Sequence, residues 1–139
     1  MKNFKLFLLT LVAFILLNSC KKSSSTSTPT LPVATEENIT FAIDIDPGSG
    51  IYAALGANQD AKITISSTMP PSGISADISV KKDSDNSVVY SATLTSTVSP
   101  LTVSLSNLIP GVVCTATFTL TSKTKSTNTA SKSFKIARK

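Results

Sequence analysis

Val112-Val113-Cys114-Thr115-Ala116-Thr117-Phe118-Thr119-Leu120-Thr121 alternates apolar and hydroxyl-bearing side chains without a break from Cys114 onward. Successive side chains of an extended strand point to opposite faces, so this period of two gathers Cys114, Ala116, Phe118 and Leu120 on one side and the threonines on the other. One side suits a core and the other suits water. A helix would need apolar residues recurring at spacings of three and four, a pattern missing here.

The same period recurs on both flanks of this stretch. Ile39, Phe41, Ile43 and Ile45 share a face opposite Thr40, Ala42 and Asp44, and Ile63 and Ile65 point inward within residues 61–67. Ile74, Ala76, Ile78 and Val80 form a third set. Val88, Tyr90, Ala92 and Leu94 form a fourth, with Tyr90 read as buried. Leu101, Val103 and Leu105 make the fifth, and Phe134 and Ile136 belong to the last. Turn chemistry separates them. Asp46-Pro47-Gly48-Ser49-Gly50, Met69-Pro70-Pro71-Ser72-Gly73 and Lys81-Lys82-Asp83-Ser84-Asp85-Asn86 are rich in residues that break ladders or cap their own main chain. Seven short strands with no helical period predict an all-β domain over residues 38–139, a seven-stranded antiparallel β-sandwich of two packed sheets.

The link Leu105-Ser106-Asn107-Leu108-Ile109-Pro110-Gly111-Val112-Val113-Cys114-Thr115-Ala116-Thr117-Phe118 resembles the E–F connection of fibronectin type III and related immunoglobulin-like domains. Leu108, Pro110 and Gly111 fall on that family's leucine and proline-glycine turn, and Cys114 stands where its tyrosine would be. The resemblance implies an immunoglobulin-like strand arrangement. A thiol cannot replace the phenolic hydroxyl of a tyrosine corner, so packing has to close the corner here. The family's early tryptophan is replaced by Ile63 or Ile65, and no Arg-Gly-Asp tripeptide occurs.

The first residues follow a different logic. Met1-Lys2-Asn3-Phe4-Lys5 is a basic start, and residues 6–17 are apolar apart from Thr10. Such a run is short of the about 20 apolar residues a spanning helix needs and matches a cleaved export signal over residues 1–19. Leu17-Asn18-Ser19-Cys20 resembles the lipobox of bacterial lipoproteins. That resemblance implies cleavage between Ser19 and Cys20 and a lipid on the Cys20 thiol. It places the chain among Bacteroidetes-type lipoproteins of the cell envelope, held in the outer membrane by the N-terminal lipid. In those lipoproteins surface export is associated with acidic residues after the cysteine. Lys21, Lys22 and serines stand there instead, so both the periplasmic face and the cell surface are open destinations. Residues 20–37, rich in Ser, Thr and Pro, read as a flexible tether with little to bury.

Composition removes several function classes. Histidine and tryptophan are absent, which leaves no imidazole base, no histidine metal ligand and no indole platform for a sugar ring. Charged residues make up only 15% of the chain. Net charge is +5, and removing Lys2 and Lys5 leaves 11 basic against 8 acidic residues, too small an excess for a nucleic-acid partner. With Cys20 lipidated, Cys114 has no disulfide partner.

Candidate chemistry is sparse. Asp44, Asp46, Asp83 and Asp85 are oxygen donors at strand ends, but aspartates in turns ordinarily cap their own main chain, and no metal or other cofactor is expected. Cys114, between apolar strand neighbours and with no base in the chain, reads as a small core residue rather than a nucleophile. Lys123, Lys125, Lys132, Lys135, Arg138 and Lys139 lie close in sequence without an intervening acid. They suit contact with an anionic surface or, more simply, protection of a sheet edge. The resulting expectation is a non-enzymatic envelope protein whose sandwich meets a protein partner or acts as a spacer. The alternative is a surface ligand-binding or adhesion module, either a carbohydrate-related accessory lipoprotein or a fimbrial subunit.

Overall fold

A computed structural model describes residues 35–139. The signal, Ser19, Cys20 and most of the tether lie outside the described residues. The described chain is all β, with eight strands: β1 (Phe41–Ile43), β2 (Ile51–Ala54), β3 (Gln59–Ile65), β4 (Ile74–Lys82), β5 (Val88–Ser96), β6 (Leu101–Leu105), β7 (Val113–Ser122) and β8 (Thr129–Arg138). They form a three-stranded sheet in the order β1-β3-β6 and a five-stranded sheet in the order β2-β8-β7-β4-β5.

The alternating stretch at Val113–Ser122 sits at the centre of the larger sheet, where β7 pairs with β4 on one side and β8 on the other. Cys114, Ala116, Phe118 and Leu120 are all buried, and the Phe118 ring stacks on Phe134 with centroids 5.8 Å apart. Inward residues of both sheets, from Phe41, Ile63 and Leu105 on one to Ile78, Val80 and Ile136 on the other, form a single core cluster. Burying a side chain of this size contributes about 1.5 to 3 kcal/mol, which explains how the domain closes without a disulfide.

Two expectations need correction. There are eight strands rather than seven, and the sheets are not wholly antiparallel. β2 runs parallel to β8, pairing Ile51 with Lys135 through Ala54 with Arg138. β2 escapes a sequence reading because it hides little: Ile51 is 55% exposed and only Ala54 is buried. Chain geometry creates it, since the turn after Ile45 carries the chain from the smaller sheet to the rim of the larger one.

The fourth expected inward set is also different. Tyr90, Ala92 and Leu94 are only half-buried, and Val88 is 59% exposed. Among the described residues β5 has a neighbour on one side alone, and the ladder shifts register where Val80 pairs with Tyr90 but Lys81 pairs with Val88. The extra residue, Val89, is a β-bulge that turns Val88 outward.

Candidate functional site

The two ends of the domain collect its loops. At one end lie the entry segment before β1, the β3–β4 connection and the β7–β8 turn. At the other lie the β4–β5 turn, the β6–β7 connection and the end of β8. The entry segment is held by Asn128, a buried amide in the β7–β8 turn. Its Oδ1 accepts the Ile39 amide hydrogen at 3.0 Å, while its Nδ2 donates to Glu36 Oε1 at 2.7 Å and to the Glu37 carbonyl at 2.8 Å. Glu37 Oε2 accepts from the Thr68 amide at 2.7 Å, and this bond holds its carboxyl below the usual range. A shallow pocket of about 260 Å³ lies beside this strap, lined by Thr35, Glu36, Glu37, Thr68, Met69, Pro71 and Thr124. Sequence reasoning missed Asn128, because an asparagine in a turn looks the same whether it faces water or ties down a strand.

The four aspartates do not converge. Asp44 Oδ1 accepts the Lys62 amide at 2.8 Å, and Asp46 Oδ1 accepts the Gly48 amide two residues on. Asp85 Oδ1 accepts the Ser87 amide, and the Ser87 hydroxyl, followed by that amide, draws its carboxyl downward. Asp83 accepts from Thr115 Oγ1 and from Lys135 Nζ, both at 2.6 Å, and the lysine bond is the main reason its carboxyl is held low. Among the described residues no three His, Cys, Asp or Glu side chains gather at metal-binding distance. Cys114 is buried, its thiol 4.0 Å from the Val112 carbonyl, and desolvation pushes its pKa up, which disfavours the thiolate.

The corner before β7 is closed by packing and by main-chain bonds together. Leu108 is buried and its amide donates to the Ala57 carbonyl at 2.9 Å. The Gly111 amide donates to the Arg138 carbonyl at 3.0 Å, and Arg138 Nη1 donates to the Leu108 carbonyl at 3.3 Å.

The six basic residues are spread over the domain. Lys123 and Lys125 sit in the β7–β8 turn, and Arg138 and Lys139 lie at the opposite end, about 30 Å away along a ten-residue strand. Lys135 faces outward into the ion pair with Asp83. Lys132 follows the inward parity of β8, with its Nζ 5.9 Å from the centroid of the Phe41 ring. The structure therefore brings Lys135 to an acid and Lys132 to an aromatic face, and it gathers no single patch of all six.

What the outer face of the larger sheet does gather is hydroxyls. Thr119 bonds Ser131 and Thr121 bonds Thr129 across β7 and β8, and Thr93 on β5 donates to Asp77 at 2.6 Å. No protein-family model matches this chain, and neither does any curated protein.

Proposed function

We propose that the chain is a non-enzymatic, lipid-anchored protein of the bacterial cell envelope whose immunoglobulin-like sandwich serves as an interaction or spacer module. One observation carries the non-enzymatic part. Asp44, Asp46, Asp83, Asp85 and Cys114, the candidate metal ligands and nucleophile, are occupied by the fold itself through a cross-strand bond, turn caps, an ion pair and burial. The strand order supports the immunoglobulin-like reading. In that reading β1, β3 and β6 take the places of strands A, B and E, and β4, β5, β7 and β8 those of C, C′, F and G, with β2 as a switched segment of A beside G. The anchor rests on Leu17-Asn18-Ser19-Cys20, and the outer membrane is the proposed site.

The test is metabolic labelling with palmitate, followed by crosslinking in cells and identification of the neighbour. The native chain is expected to take up label and Cys20→Ala to lose it. Equal labelling of both would sink the anchor. Turnover of an envelope substrate by the purified chain would sink the non-enzymatic reading.

A further inference from the structure

We propose that the open edge of β5 pairs antiparallel with the same edge of a second copy, about a two-fold axis at Thr93, joining two five-stranded sheets into one continuous sheet. The partner is identified by three properties of this edge. First, residues 88–96 read Val-Val-Tyr-Ser-Ala-Thr-Leu-Thr-Ser, with no charge, proline or glycine to discourage pairing. A strand like this, with one row of main-chain groups unpaired among the described residues, is a template for another strand. Nothing comparable is left open elsewhere on the larger sheet, because the opposite rim carries the short β2 and the inward-pointing Lys132.

Second, the bulge at Val89 limits the straight run to residues 90–96, and Thr93 is its midpoint. Opposed residues in an antiparallel pair must share a face, so a two-fold at Thr93 sets Ala92 against the partner's Leu94 on the inner side. On the outer side Ser91 meets the partner's Thr95, and Thr93 meets the partner's Thr93. At the two ends of the run Tyr90 meets the partner's Ser96, and between them apolar faces apolar and hydroxyl faces hydroxyl, pairings that stabilise sheets. No like charges are opposed along the run, and the edge carries no charged group to select an acidic or basic foreign peptide.

Third, Tyr90, Ala92 and Leu94 are half-buried in the isolated domain, and a strand added on this side would cover them further. The contact is small. A seven-residue strand pair spans about 24 Å and buries less than the about 1,200 Å² typical of stable complexes. The dimer is therefore weak in dilute solution and favoured where copies are concentrated, as on a membrane.

This deepens the interaction-module reading and rests on it, with the partner specified as the chain itself. The full chain is tested by sedimentation across a concentration series, with three variants. Thr93→Cys is expected to form a disulfide-linked dimer under mild oxidation. Ser91→Lys with Thr95→Lys opposes lysines twice across the axis and is expected to weaken association about tenfold. Ser91→Glu with Thr95→Lys opposes unlike charges in the same register and is expected to restore it. All these sites are exposed on the outer face, so folding is retained and is checked by circular dichroism. A chain that stays monomeric to about 1 mM overturns the proposal. So does equal association of the two charge variants, since the contact then lies elsewhere. A chain that dimerises without palmitate label sinks the anchor and leaves this inference standing, whereas a labelled monomer does the reverse.

Discussion

The two rims of the five-stranded sheet solve the same problem in opposite ways. At one rim β2 covers only the last four residues of β8's pairing register, and the uncovered part of β8 turns Lys132 inward over Phe41. A second strand docking there would have to desolvate that ammonium, which is a known defence of sheet edges. At the other rim β5 runs nine residues with no charge at all, shielded only by the bulge at one end. β8, which carries the uncovered stretch of the first rim, and β5 are of similar length, ten residues against nine. The difference is one of side-chain charge, and it teaches that openness at β5 is a property of particular residues rather than of the sandwich.

The contrast breaks most severely at Gly73, where β4 begins against the end of β5. Gly73 has φ +76°, and a Cβ there would penetrate the Ser96 carbonyl oxygen. The Ser96 carbonyl is main chain and cannot move aside. Gly73→Ala is expected to destabilise the domain by about 3 kcal/mol and to loosen the β5 rim first. Chemical denaturation measures the total, and hydrogen exchange at residues 90–96 localises it. Unchanged protection there would show that β5 does not depend on this approach.

Lys132→Val sharpens the comparison by making the guarded rim resemble the bare one. Monomer stability is expected to change by no more than about 0.5 kcal/mol, because the ammonium is exposed and its interaction with the ring is weak. Self-association should rise, read by light scattering at increasing concentration. If the variant stays as dispersed as the native chain, Lys132 is not what guards β8.

The smallest effect concerns the Asp83–Lys135 pair, which ties the turn before β5 to β8 across β7. Folding holds the carboxyls of Asp83, Asp85 and Glu37 below their ordinary values, so the folded state binds fewer protons than the unfolded one near those values. Their contribution is complete above the ordinary carboxylate pKa of about 4 and is lost as pH falls through the lowered values. The melting midpoint is expected to drop between about pH 5 and pH 2, and Asp83→Asn should flatten that slope. An identical slope in the variant would place the acid sensitivity elsewhere.

Much of the fold is legible in the sequence. Alternation at Cys114, Ala116, Phe118 and Leu120, and again at Ile39, Phe41, Ile43 and Ile45, named core residues that are all buried. Proline and glycine marked the turns around Gly48 and Gly73. Alternation failed at Val88, where a single bulged residue inverted the face, and it was silent at Ile51-Tyr52-Ala53-Ala54, whose pairing conceals little surface. The basic cluster misled in a different way. Six cations within seventeen residues look like a patch, yet a strand of about 30 Å separates its two ends, and alternation sends Lys132 and Lys135 to opposite faces.

The amino-acid sequence by itself determined the all-β class, the core faces and the turn positions, because these follow from the period of a single extended strand and the local chemistry of proline, glycine and aspartate. Tertiary structure alone decided which strands became rims, that β2 runs parallel to β8, and that Asn128 fastens the entry segment. Those outcomes depend on which distant residues meet, and a strand's own periodicity carries no record of its neighbours.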